Sequence, residues 1–219
     1  MISKFKKALF VLGSALFLFS CQKDVSDNTG TPNNPSSLDL TTKVTTAKIS
    51  GYVTDENNNP VIGAQVTAGT ANTTTDDYGY FQFRNTEVVK NAAVVTVNKA
   101  GYFKGIKTFI ARSGKSANFR IKLLPKTNAG TISATAGGEV ALTNGMKINF
   151  PVNAIVNASS GAAYSGTVNV AAQWLDPSSN ELNMTMPGDL RGLDASGAPK
   201  ILTTYGMAAV ELTGASGEQ

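Results

Sequence analysis

Histidine is absent from all 219 residues, and Cys21 is the sole cysteine. Ser-His, Cys-His and zinc-histidine chemistry are therefore excluded together. Carboxylate pairs or a Ser-Lys dyad remain, and no spacing signals either. The nearest thing to a ligand set is Asp55-Glu56-Asn57-Asn58-Asn59, which begins like a calcium loop. That signature wants Gly next and Glu at its twelfth position. Pro60 and Val66 stand there instead. Turn chemistry accounts for the same residues, because Asn and Asp bond their own backbone. Asp76-Asp77 reads as a turn for the same reason, not as a paired acid and base. No catalytic residue, metal or cofactor is expected, and the chain does not read as an enzyme.

Contact is a better prospect than reaction. Tyr78 and Tyr80 flank a turn, where exposed rings could stack on a sugar. Asp189 and Arg191 lie in the loop Met184–Gly192, and either pair across its bend or meet a ligand. Trp174 and Tyr102 read as core residues. Asn72, Asn157 and Asn183 begin N-x-Ser/Thr triplets, read as chance matches in a Thr-rich chain.

Cys21 has a different chemistry in prospect. Lys4, Lys6 and Lys7 precede an apolar run from Ala8 to Phe19, with Ser20 before the cysteine. Positive residues, a short apolar core and a small residue make a secretory leader. The run is about 12 residues, too short for a bilayer span of about 20. Leu18-Phe19-Ser20-Cys21 resembles the lipobox of bacterial lipoproteins, with Phe19 where that family usually has a small or β-branched residue. The resemblance implies a leader over 1–20, cut before Cys21, whose thiol and new amine are acylated. A plain secretory signal is the alternative.

The formal charge of +4 belongs largely to that leader. Losing its three lysines, with no acid among residues 1–20, leaves +1. A nucleic-acid partner would need a basic stripe, and no run of Lys or Arg follows. Residues 21–47 are rich in Thr, Asn, Ser, Asp and Pro, and read as a flexible tether. A chain of that kind has a span of roughly 28 Å. A strand over Leu38–Val44 docked on the next domain is the alternative.

From Lys48 the pattern becomes period two. Ile49, Gly51 and Val53 oppose Ser50, Tyr52 and Thr54. Ile62, Ala64, Val66 and Ala68 form a second face, Ala93, Val95 and Val97 a third, and Phe119, Ile121 and Leu123 another. Short strands at regular spacing, with turns between, argue for an all-β sandwich. Four blocks then resemble the carboxypeptidase regulatory-like domain over 48–124. They are Gly51-Tyr52-Val53-Thr54-Asp55, Pro60-Val61-Ile62-Gly63-Ala64-Gln65-Val66, Thr75-Asp76-Asp77-Tyr78-Gly79-Tyr80-Phe81 and Lys99-Ala100-Gly101-Tyr102. The resemblance implies a seven-stranded, transthyretin-like sandwich without catalytic residues.

A linker over Pro125–Thr131 and a second β-domain over 132–219 are expected next. Val168, Val170, Ala172 and Trp174 alternate along one strand; Ala208, Val210 and Leu212 alternate along another. Gly145-Met146-Lys147-Ile148-Asn149-Phe150-Pro151-Val152-Asn153-Ala154-Ile155 resembles the opening of a ZU5-type sandwich, with Asn153 where that family usually has Gly. The strand over Met207–Leu212 has no following strand to pair with. A fragment, a sandwich completed by a partner, and a frayed tail all fit that ending.

The expected function is that of a lipid-anchored, non-catalytic module in a Gram-negative envelope, on the outer membrane. It would present two β-domains to a protein or glycan partner. A carbohydrate-binding accessory of an uptake system and the anchor of a larger enzyme are the rival readings.

Overall fold

The structure, a computed structural model, describes residues 39–219. The leader, Cys21 and the tether as far as residue 38 lie outside the described residues. Among the described residues strands dominate, and the single helix is the four-residue turn Leu182–Thr185 (α1).

Seven strands make the first sandwich. Lys43–Thr54 (β1), Tyr80–Val89 (β4) and Ser116–Lys122 (β7) form one sheet in the order β4-β1-β7. Gln65–Ala68 (β2), Ala71–Thr74 (β3), Ala93–Asn98 (β5) and Gly105–Phe109 (β6) form the other, in the order β3-β2-β5-β6. β1 pairs antiparallel with β4 and parallel with β7. The alternation follows from burial on one face. Ile49, Val53, Phe81, Ile121, Val66, Val95 and Val97 are almost wholly buried between the sheets. Gly51 lies where a Cβ would come 2.3 Å from the Phe119 carbonyl oxygen, so only glycine permits this approach of β1 to β7.

Three expectations need correction here. β1 starts at Lys43, so the last five residues assigned to the tether, 43–47, are strand, with Val44 and Ala47 buried in the core. Ile62 is 51% exposed while Val61 is buried. Val61 is drawn in by its N–H bond to the Val53 carbonyl, and Ile62 and Gly63 form a turn, so alternation begins only at Ala64. Lys122, which alternation with Ile121 and Leu123 places on the solvent side of its strand, is buried.

The second region starts at Asn128, inside the expected linker and before residue 132. Asn128–Ser133 (β8), Thr167–Leu175 (β11) and Met207–Gly214 (β14) form a sheet in the order β14-β11-β8. The hairpin of Gly138–Ala141 (β9) and Lys147–Phe150 (β10) supplies apolar residues to the same core: Ile132, Val140, Val168, Val170 and Ala172 are buried, with Ile148, Phe150 and Leu212 packed around them. Asn153 adopts φ 54°, the left-handed conformation that its amide tolerates.

Trp174 is not core: it is 36% exposed. Its parity is that of Val168, Val170 and Ala172, but β8 pairs with β11 only as far as Ala171. Beyond that point the sheet narrows to two strands, and Val210, opposite Ala172, is also exposed. Leu175, on the other face, is buried where the second region meets the first.

Residues 176–206 join β11 to β14 as a strap that includes α1 and a small hairpin, Arg191–Leu193 (β12) with Pro199–Ile201 (β13). The strap leans on the first sandwich. The Lys122 Nζ lies 2.6 Å from Glu181 Oε2, and Lys107 Nζ donates to the Asn183 carbonyl.

Candidate functional site

The turn motifs are occupied by their own backbone. Asp55 Oδ1 accepts from the N–H groups of Asn57 and Asn59, at 2.9 and 2.8 Å. The Asn59 side-chain amide bonds the same carboxylate and, with these N–H donors, holds its pKa below the usual range. Asp76 Oδ1 likewise accepts from Tyr78 and Tyr80 N–H, at 2.9 and 2.8 Å. Gly79 sits in this turn at φ 72°, where a Cβ would come 2.4 Å from the Val53 carbonyl oxygen. Thr75 is buried and satisfied: its hydroxyl donates to the Val61 carbonyl at 2.6 Å and accepts from Ala64 N–H at 2.8 Å. Among the described residues, no group of three or more Asp, Glu, His or Cys could hold a metal ion.

Asp189 and Arg191 pair with each other. Arg191 Nε donates to Asp189 Oδ2 at 2.6 Å, and Arg191 Nη1 reaches the Asn91 carbonyl at 2.8 Å. The pair therefore clamps the strap to the first sandwich. Lys107 lies beneath the same strap. Burial lowers its pKa, and the Asp189 carboxylate opposes that shift. A cleft of about 350 Å³ opens at this junction, lined by Phe103, Leu123, Leu124, Leu175, Pro187 and Met207 among others.

Tyr78 and Tyr80 have different settings. Tyr78 is 78% exposed on its turn. Tyr80 begins β4 and faces Tyr52 across β1, with ring centroids 5.2 Å apart and planes inclined by 54°. Register then builds rows across the outer face of the sheet. Tyr80, Tyr52 and Arg120 form the first row, and Gln82, Ser50 and Asn118 the second. Asn118 Nδ2 donates to Ser50 Oγ at 2.9 Å. In the third row Lys48 pairs with Ser116 of β7. On β4 the register slips there: Ala47 pairs with Thr86 and Ile49 with Phe83, so β4 carries one extra residue. This β-bulge leaves Arg84 and Asn85 exposed side by side. A shallow groove of about 450 Å³ opens beside it, lined by Lys48, Ser50, Gln82 and Arg84 among others.

Only Tyr80 of this face was among the residues singled out from sequence. Tyr52 and Arg120 come from β1 and β7, far apart in the chain, and only the register brings them together. Tyr52 did carry a signal, since it alternates outward between Gly51 and Val53.

No curated protein matches the chain. Residues 48–124 match the family model of the carboxypeptidase regulatory-like domain. The chain thus contains a carboxypeptidase regulatory-like domain, folded as a β-sandwich.

Proposed function

We propose that this protein is a non-catalytic module of a Gram-negative envelope, held on the outer membrane by lipid on Cys21. The sandwich stands off that membrane on a tether and meets a protein or glycan partner. The observation that carries the reading is the order of parts. A basic and apolar leader ends at the one cysteine, and a polar stretch separates it from a carboxypeptidase regulatory-like domain. The motif residues of that domain support a passive role, because Asp55, Thr75, Asp76 and Gly79 serve turns and packing. One acyl chain binds membranes only marginally, so lasting attachment requires more than one.

The test is Cys21→Ala with fractionation of the cells. Loss of the protein from the membrane pellet is expected. Retention in the pellet would overturn the anchor.

A further inference from the structure

The outer face of the β4-β1-β7 sheet is more specialised than a spacer requires. We propose that it binds an acidic polysaccharide, a sugar chain bearing carboxylates. This deepens the module reading by naming the partner's chemistry, yet it does not depend on how the protein is anchored.

The charges within these three rows are of one sign. Lys48, Arg84 and Arg120 are exposed, and none is in an ion pair among the described residues. The three rows contain no Asp or Glu. Outside these rows lysines find acids: Lys43 meets Glu87 farther along the same face, and away from it Lys126 meets Glu211 and Lys147 meets Glu139. A face left with unneutralised cations is complementary to an anion.

The remaining groups specify what kind of anion. Tyr52 is 41% exposed, and it and Tyr80 present inclined rings at one end of the face. An aromatic face offers an apolar platform with a polar tip, which suits the C–H face and hydroxyls of a sugar ring. The middle row is made of neutral donors and acceptors, Gln82, Ser50 and Asn118. Arg84 continues the outward alternation of Gln82 and lines the groove with Lys48, and the bulge adds Asn85 beside it. The rows lie about 13 Å apart from first to third at two residues per row. An extended chain laid along the strands would cross rings, amides and cations in turn.

The experiment uses affinity electrophoresis of the full chain in non-ionic detergent through gels containing polygalacturonate. Parallel gels contain dextran or single-stranded DNA, and anionic phospholipid vesicles are tested by flotation. Retardation by polygalacturonate alone is expected, weakening as salt is raised. Lys48→Gln, Arg84→Gln and Arg120→Gln should each weaken it about two- to fivefold. Tyr52→Leu should weaken it about three- to tenfold, and Tyr52→Phe should retain it. Lys147→Gln, in the second region, should change nothing. Absence of polygalacturonate binding would overturn the proposal. So would equal binding to DNA, dextran or vesicles, or face variants that bind like the parent. The charge variants keep the test decisive if Tyr52→Leu fails to fold. Loss of glycan binding leaves the Cys21 fractionation result untouched, so the two failures are distinguishable.

Discussion

The first sandwich closes a core of 17 buried apolar residues between two sheets, whereas the second region buries six in its own core. Both use alternating strands of similar composition. The difference lies in cover. In the first, each sheet shields the other along its length. In the second, the cover gives out before the end of β11, which leaves Trp174 and Val210 exposed. Alternation thus decides which side of a strand is apolar, and the opposing layer decides whether that side is dry.

The same substitution in the two cores tests this most severely. Ile49 is 1% exposed and Ile132 is 6% exposed. Ile49→Ala should cost about 4 kcal/mol and Ile132→Ala about 2 kcal/mol, because the thinner core relaxes more readily around the loss. Urea unfolding can separate them, since the sole tryptophan, Trp174, reports the second region and circular dichroism reports both. Equal losses would break the comparison. Gly79→Ala should cost about 2 kcal/mol in the first sandwich, through its positive φ and the near carbonyl. A thermal midpoint equal to the parent's would contradict the role given to that turn.

The strap offers a smaller effect. Lys122 is buried, but the Glu181 side chain is 45% exposed. Glu181→Gln should cost about 1 kcal/mol, discounted for the solvent at Glu181. It should also speed hydrogen exchange in α1. Lys122→Met should be milder than Glu181→Gln, since no buried cation is left behind.

The smallest effect is a pH dependence in the second region. Tyr164 donates to Glu218 Oε1 at 2.7 Å. That bond lowers the Glu218 pKa below 4.5 and raises the Tyr164 pKa above 10.0. Stability from the depressed carboxyl is present above its unfolded pKa and is lost as pH falls through the lower folded value. Stability from the raised phenol is present below its unfolded pKa and is lost as pH rises through the higher folded value. Tyr164→Phe should therefore lower the midpoint slightly at pH 7, with the gap closing at both extremes. A gap unchanged at low pH would exclude the carboxylate as the partner.

The legible parts of the fold were those written locally. Asp76 to Gly79 carry their own turn chemistry, and Ile49 to Val53 carry their own period. The carboxypeptidase regulatory-like blocks are built from such segments, and residues 48–124 were accordingly recognisable. The outer face was not, apart from Tyr80. Tyr52, Arg120 and Asn118 are joined by strand register, and Asn85 is exposed beside Arg84 because of a bulge that local composition does not encode. Lys122 and Leu175 are buried by the strap and the junction cleft, contacts between segments distant in the chain. For Asp189 and Arg191 the residues alone left a mutual pair and a ligand contact both open, and their hold on Asn91 was not legible.

The proposed lipid anchor is tested most directly by mass spectrometry of the N-terminal peptide from protein purified from its native source. The first residue should be Cys21, carrying a thioether-linked diacylglycerol and an acylated amine. A terminus still bearing residues 1–20, or a free thiol at Cys21, would contradict it.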